Sequence, residues 1–177
     1  MIDYKDIPKF YKSNYHVNTL GFKGLIYTMK CYQDEYNLEL NPDFQRGHVW
    51  NDNQKSAFIL YILKGGLTGR ELYFNCPGWD VPGTDEGQMV CVDGLQRITA
   101  VQQFMANEIP VTINGNKYYC KDINNMRISS LTFSIHINCL MTRAEEIEWY
   151  LQFNTGGTVH SEEEINRVKD LLKKYKK

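Results

Sequence analysis

The sequence predicts a single α+β domain in which a small mixed sheet is flanked by helices. Apolar residues recur at helical spacing in some segments and alternate with polar residues in others. The two kinds of segment follow each other without a linker, repeat or low-complexity tract. The 177 residues match the size of one domain. We expect residues 1–18 to be a tail and residues 19–177 to be the folded domain.

The amino-terminal part of the domain is predicted to contain a helix, a strand and a second helix. Apolar residues at helical spacing indicate the first helix near residues 19–31. Apolar and polar residues then alternate over 36–40, as in a half-buried strand, until Pro42. Asn51 and Gln54 have the spacing of a capping pair, so the next helix begins there.

The middle of the chain is predicted to hold two strands separated by a loop. The second helix stops at the glycines 65–66, and residues 71–76 form a strand. Residues 77–88 are rich in proline and glycine and form a surface loop. The apolar run 89–92 indicates a central strand buried on both faces. It leads directly into Asp93-Gly94.

The rest of the chain is predicted to form two strand regions and three helices. Apolar residues over 98–105 indicate a helix, and the Asn-Gly pair at 114–115 indicates a hairpin. Residues 133–137 alternate as a strand. Two capping boxes, at 142–145 and 161–164, mark the first residues of the last two helices.

Composition excludes several classes of protein. The net charge of −1 offers no global attraction to nucleic acid, so any such contact needs a local patch. Five cysteines without paired spacing argue against a disulfide scaffold and a zinc site, and favour a reducing cytoplasm. No apolar run is long enough to span a membrane. The four histidines are scattered, and His136 is expected in the core or at its rim.

Three segments carry residue types that packing alone does not require. In the first, Gln45 and Arg46 lie between Phe44 and the pair Val49-Trp50. The aromatic residues would pin the two polar side chains over a pocket. The alternative is a loop anchored by two aromatics, with Arg46 in a structural salt bridge.

The second segment is residues 93–99, where a buried strand is followed by a glycine and at once by a helix. Unpaired backbone N–H groups and the positive end of the helix dipole suit a phosphate. Gly94 would let a ligand approach the backbone closely. Arg97, in the first turn, needs a compensating anion. Asp93 either caps the helix or holds a metal ion beside phosphate oxygens.

The third segment is a glycine-rich loop between the last two helices, containing Asn154, Gly156 and Gly157. Two interpretations remain open. The loop is either a plain helix–helix turn or a second loop that contacts an anion or a ribose.

Taken in order, the three segments resemble the DUF262 family, the amino-terminal domain of GmrSD-type modification-dependent restriction enzymes. That family has a ParB/sulfiredoxin-like fold. Its aromatic-Gln-Arg and Val-Trp pattern is matched by residues 44–46 and 49–50. Its Asp-Gly-Gln-Gln-Arg signature is matched, with one change, by 93–99, and its Asn-Thr-Gly-Gly-Thr loop by 154–158.

The resemblance implies binding of a nucleoside triphosphate (NTP) with Mg²⁺ and, as in several relatives, NTP hydrolysis that regulates DNA cleavage. Asp93, Gln96 and Arg97 would be catalytic, and Asp93 would also hold the metal. The residues implied to bind the nucleotide are Gln45, Arg46, Gly94, Arg97, Thr99, Asn154, Gly156 and Gly157.

Two departures from the family pattern matter. Leu95 replaces the first glutamine of the signature and cannot form side-chain hydrogen bonds. We therefore expect binding with weak hydrolysis if this side chain points into the pocket, and no such effect if it faces the core. No HNH-type nuclease domain follows in this sequence, so we expect a phage- or mobile-element-encoded protein, a stand-alone regulator, or one subunit of a split system, in a bacterial cell.

Three functions remain in competition. The first is nucleotide binding in a phage–host or DNA restriction setting. The second is direct DNA binding or nicking, which the near-neutral charge disfavours. The third is an interaction module that binds a nuclease subunit or inhibits a host defence protein.

Overall fold

The structure is a computed structural model that describes residue 7 and residues 15–47, 49–79, 86–124, 131–154 and 161–176. Their helices and strands occur in the order β1 (His16–Gly21), α1 (Phe22–Tyr36), α2 (Asp52–Leu63), β2 (Glu71–Asn75), β3 (Val90–Asp93), α3 (Leu95–Met105), β4 (Val111–Ile113), β5 (Asn116–Tyr118), β6 (Thr132–Asn138), α4 (Arg143–Asn154) and α5 (Glu162–Tyr175). A short 3-10 turn covers Cys120–Asp122. The predicted α+β class is confirmed.

The main sheet has the strand order β1-β6-β2-β3. Strand β6 is antiparallel to β1 and parallel to β2, and β2 is antiparallel to β3. The predicted hairpin is also present as β4 and β5. Its turn residues Asn114 and Gly115 both have positive φ, 52° and 82°, as a two-residue hairpin turn requires.

Each face of the main sheet is covered by its own apolar cluster. Helices α1, α2 and α3 supply the larger one, which includes Phe22, Ile59 and Phe104. On the opposite face α4 and α5 form a smaller cluster around Phe44 and Tyr150. The second cluster does not cover the whole of its sheet face, and polar side chains occupy the rest.

Most predicted elements are confirmed, because their signals are local. The Asn51–Gln54 capping box begins α2, and the Ser161 hydroxyl accepts a hydrogen bond from the Glu164 N–H at the start of α5. The predicted box at 142–145 is formed by hydrogen bonds in both directions. Among the described residues no helix is long and apolar enough to cross a membrane.

The predictions for residues 16–40 were partly wrong. Strand β1 begins at His16, inside the expected tail, and occupies the first three positions of the predicted helix. The helix itself runs to Tyr36 and ends at Asn37, which is left-handed with φ of 48°. The predicted strand over 36–40 is reduced to one bridge between Glu39 and Val90. Alternation there reflects the last helical turn followed by an extended segment, which a periodicity of two cannot distinguish from a strand.

Strand β3 is buried as predicted, but it lies last in the sheet order and not at the centre. The segment that follows α1 covers its outer edge, where the Glu39 N–H donates to the Met89 carbonyl and the Cys91 N–H donates to the Glu39 carbonyl. An edge strand covered in this way has the apolar composition of a central one.

Candidate functional site

The turn between β3 and α3 forms as predicted. Strand β3 ends at Asp93, Gly94 follows with φ of 140°, and α3 begins at Leu95. Gly94 is buried, and a Cβ atom there would lie 2.8 Å from Cδ2 of Leu72. The glycine is therefore required by its backbone conformation and by the close packing of β2, and Leu72 fills the space beside it.

Arg97 finds its compensating anion one helical turn earlier. Its Nη2 atom lies 2.6 Å from Oδ2 of Asp93, and its Nη1 donates to the backbone carbonyl of Glu71 at 2.7 Å. The Arg97 side chain is 15% exposed and that of Asp93 is 41% exposed. The N-cap residue of α3 is Gly94, which has no side chain to cap the helix. The ion pair with Asp93 accounts for the positive charge of Arg97 in the first turn of α3 without any bound ligand. The Asp93 carboxylate remains accessible to solvent.

Two glutamines join the first and second sequence segments. Nε2 of Gln45 donates to the Cys91 carbonyl at 2.7 Å and to the Val92 carbonyl at 3.3 Å. Oε1 of Gln96 accepts from the backbone N–H groups of residues 49 and 50, at 3.2 and 3.1 Å. Its Nε2 donates to the Gly47 carbonyl. The Gln45 side chain thus ties the loop to β3, and the Gln96 side chain ties α3 to the loop backbone.

The loop that contains Gln45 is also held by contacts with helices α4 and α5. Phe44 is fully buried and packs on Tyr150, with 5.2 Å between ring centroids. The Arg167 guanidinium of α5 donates to the carbonyls of residues 43, 44 and 45. Trp50, the second predicted anchor, is only half-buried and lies against Phe58.

Arg46 lies in the loop between Gln45, which is bonded to β3, and Gly47, whose carbonyl accepts from Gln96 of α3. Its side chain is exposed. Within the described part of the chain, no hydrogen bond or ion pair engages it, and the structural salt bridge considered for it is not observed there. The hydroxyl of Thr99 donates to the Leu95 carbonyl at 2.8 Å, inside α3.

The model of the family "GmrSD restriction endonuclease, N-terminal domain" matches residues 29–177. The chain belongs to this family. No curated protein and no solved structure matches it. The matched span includes both the Gln45-Arg46 loop and the β3–α3 turn. The geometry described so far therefore belongs to a domain of a restriction-related family.

The third segment of this GmrSD N-terminal domain is only partly described. Asn154 is the last residue of α4, whereas Gly156 and Gly157 lie outside the described residues. The preceding Phe153 has its ring centroid 4.4 Å from that of Tyr73. Tyr73 is the register partner of Asp93. The carboxyl end of α4 therefore lies over the strand next to the turn.

Three further polar residues lie on this sheet face and were not predicted as site residues. His136 Nδ1 is 2.6 Å from the Tyr15 hydroxyl, and its Nε2 contacts Oε2 of Glu71. The imidazole stacks on Tyr73 at 4.6 Å between centroids. The three residues come from distant parts of the chain, so no local motif could have indicated them.

Burial keeps the nearby thiol and phenol neutral. It raises the pKa of Cys91 to about 12, although hydrogen bonds from Gln45 and the Leu95 backbone oppose the shift. Burial also raises the pKa of Tyr73, with Glu71 and Asp93 adding to the effect and Arg97 opposing it. Neither group is ionised at neutral pH. No set of three or more metal-binding side chains is grouped to hold a metal ion in the part of the chain that the structure describes.

Leu95, the departure from the family signature, is 2% exposed and faces the core. We expect Leu95→Gln to lower the free energy of unfolding by about 1 to 3 kcal/mol, because it buries an amide without a partner. Urea denaturation measures this loss, and Leu95→Met should cost less than about 1.5 kcal/mol. Unchanged stability together with faster NTP turnover in Leu95→Gln would show that the side chain reaches the site.

Proposed function

We propose that this domain binds a nucleoside triphosphate together with Mg²⁺ at the β3–α3 turn, as part of a restriction-related system. One observation carries the proposal. Gln45 and Gln96 hold the loop against the turn, and this loop presents Arg46 exposed and without a partner among the described residues. An exposed arginine whose neighbours in the loop are held, and whose guanidinium has no partner among the described residues, suits an anionic group.

The charges around the turn favour a magnesium complex over a bare polyphosphate. The charges of Asp93 and Arg97 cancel, and Glu71 adds a negative charge on the same sheet face. Mg²⁺ in nucleotide sites is commonly held by one or two carboxylates together with phosphate oxygens. Asp93 would supply such a carboxylate oxygen, and the metal would neutralise phosphate charge. Arg46 and the N–H groups in the first turn of α3 would contact the phosphates directly.

Hydrolysis of the bound nucleotide is the activity that the resemblance implies. Because Leu95 is buried, we expect that its replacement of a glutamine removes no group that a bound nucleotide would contact. Gln96 uses both ends of its amide on loop backbone, so we assign it to positioning Arg46 and not to the attacking water. Of the three residues that the resemblance implies to be catalytic, Asp93 and Arg97 remain candidates, Asp93 through the metal ion and Arg97 at the phosphates.

Arg46→Met should abolish most of the stabilisation that Mg-NTP confers on the domain. A nucleotide at 100 times its Kd stabilises a protein by about 2.7 kcal/mol. The stability without nucleotide should change by less than about 0.5 kcal/mol, since Arg46 is exposed. Thermal unfolding with ATP, GTP, CTP and UTP measures the shift, and phosphate release measures turnover. Arg97 is less suitable as a test because it also holds β2.

Lys30→Met is the matched control, because it removes the same charge from an exposed position on α1. It should leave the nucleotide shift intact. Chelation of Mg²⁺ by EDTA should reduce the shift in the wild-type protein. A full shift in Arg46→Met, or no shift with any of the four nucleotides, would refute the proposed site.

A further inference from the structure

Tyr15, His136 and Glu71 form a continuous hydrogen-bonded chain of side chains. The Tyr15 hydroxyl contacts Nδ1 of His136 at 2.6 Å, and Nε2 of the same ring contacts the Glu71 carboxylate. A carboxylate only accepts hydrogen bonds, so in the neutral ring Nε2 carries the proton and donates it to Glu71. Nδ1 is then an acceptor, and Tyr15 donates its O–H to it.

This order of donors is that of a nucleophilic triad. A hydroxyl donates to an imidazole nitrogen, and the other nitrogen is oriented by a carboxylate. A phenol ordinarily ionises near pH 10, so at neutral pH it is a weak nucleophile until a base removes its proton. In this arrangement His136 is that base, and Glu71 stabilises the imidazolium that forms.

The rest of the sheet holds the base in a fixed orientation. The His136 ring lies nearly parallel to that of Tyr73, with 18° between the planes, and its side chain is 15% exposed. A histidine packed in this way and hydrogen-bonded at both nitrogens has little freedom to rotate.

The base of the triad, His136, lies two strands away from the proposed nucleotide site, and Tyr15 directly precedes β1 on the far side of β6. His136 pairs in register with Tyr73, and Tyr73 pairs with Asp93, so the three occupy one row across the sheet. Neighbouring strands are about 4.8 Å apart, which places Asp93 and His136 about 10 Å apart along that row. Arg97 lies between the two groups, because it binds the Asp93 carboxylate and the backbone carbonyl of Glu71.

We propose that the Tyr15 hydroxyl accepts the γ-phosphoryl group of the nucleoside triphosphate, an inference that rests on the proposed function. The Tyr15 oxygen forms a bond to the γ-phosphorus, and the bond between that phosphorus and the β–γ bridging oxygen breaks. A nucleoside diphosphate leaves with the bond's electron pair. The phenolic proton moves to Nδ1 of His136. The product is a phosphotyrosine at position 15, whose hydrolysis would complete one NTPase cycle.

The test is incubation of the full chain with Mg-ATP, followed by intact-mass measurement and peptide mapping. We expect one phosphoryl group on Tyr15. Tyr15→Phe should remove it, and Tyr27→Phe, at an exposed α1 tyrosine, should not. His136→Asn should slow labelling by about 100-fold or more. A thermal-unfolding curve of each variant establishes that it is folded.

A second measurement tests the triad without any nucleotide. The small acetyl donor N-acetylimidazole should modify half-buried Tyr15 faster than Tyr27, which is 70% exposed. His136→Asn should reverse that order. Slower acetylation of Tyr15 than of Tyr27 in the wild-type protein would overturn the triad, whether or not a nucleotide binds.

The two proposals fail in different ways. If ATP stabilises the protein but Tyr15 gains no phosphoryl group, or gains a nucleotidyl group, the phosphoryl acceptor is refuted and the nucleotide site stands. If none of ATP, GTP, CTP and UTP stabilises the protein, the nucleotide site is refuted and the acceptor with it. Rapid acetylation of Tyr15 would then show that His136 activates the Tyr15 hydroxyl, without a role in nucleotide chemistry.

Discussion

Replacing Arg143 by methionine should lower the free energy of unfolding at neutral pH by about 3 to 5 kcal/mol, the cost of breaking a buried ion pair. Arg143 lies among three carboxylates, those of Glu39, Asp43 and Glu146, at N–O distances of 2.7 to 3.1 Å. Glu146 is 4% exposed. Without the guanidinium, its charge would be buried beside two other negative charges.

The loss should depend on pH in a defined direction. Burial raises the pKa of Glu146, because desolvation outweighs its bonds to Asn75 and Arg143. A carboxyl whose pKa is raised on folding binds its proton more tightly in the native state. Its contribution to stability is therefore complete below the unfolded value of about 4.3 and is lost as pH rises through the folded pKa. Removal of Arg143 raises that pKa further, so the deficit of Arg143→Met should shrink on acidification.

Urea denaturation between neutral and mildly acidic pH measures the effect. Lys173→Met is the matched control, since Lys173 and Asp170 form an exposed pair at 75% and 69% exposure. Such pairs contribute about 0 to 1 kcal/mol. Equal losses in the two variants, or a loss in Arg143→Met that grows on acidification, would contradict this account of the cluster.

Gly94→Ala should be one of the two most damaging of the changes considered, at about 2 to 6 kcal/mol. The φ of 140° is strained for any L residue, which costs about 1 to 3 kcal/mol. The added Cβ would also meet Leu72 at 2.8 Å, and overpacking of a core costs about 1 to 3 kcal/mol. Equilibrium unfolding in urea measures the total.

Gly115→Ala separates the two causes. Gly115 also has positive φ, 82°, but no atom lies within 4 Å of the Cβ it would gain. Its substitution should therefore cost the backbone strain alone, about 1 to 2 kcal/mol. If Gly94→Ala were no more destabilising than Gly115→Ala, the contact with Leu72 would not be a reason for the glycine. The NTP shift of Gly94→Ala, where the variant folds, reports whether the turn keeps its function.

The local elements of the fold could be predicted from the sequence. The capping residues Asn51 and Ser161, the hairpin at 114–115 and the glycine turn at 94 all appear where the sequence indicates them. Each depends on contacts between residues only a few positions apart, so its signal is contained in a short stretch of sequence. Membership of the GmrSD N-terminal domain family was predicted from the three ordered segments and is confirmed.

The roles of the site residues could not be predicted in the same way. Arg97 was expected to pair with a bound phosphate. In the structure it instead pairs with the Asp93 carboxylate and with a backbone carbonyl of β2. Gln45 and Gln96 were expected to contact a ligand, and both bind backbone more than 45 positions away in sequence. A polar side chain at a turn looks the same in the sequence whether it binds a ligand or binds backbone from a distant part of the chain.

What the sequence by itself determined is therefore the elements from α2 onward, their order, and the family to which the chain belongs. Tertiary structure alone decided that β1 joins the sheet, that Leu95 faces the core, and that Tyr15 and Glu71 meet His136 across separations of 121 and 65 positions. The physical reason is strand register. Shifting a strand by one residue turns every side chain to the other face, and register is set by packing across the whole sheet rather than by neighbours in sequence.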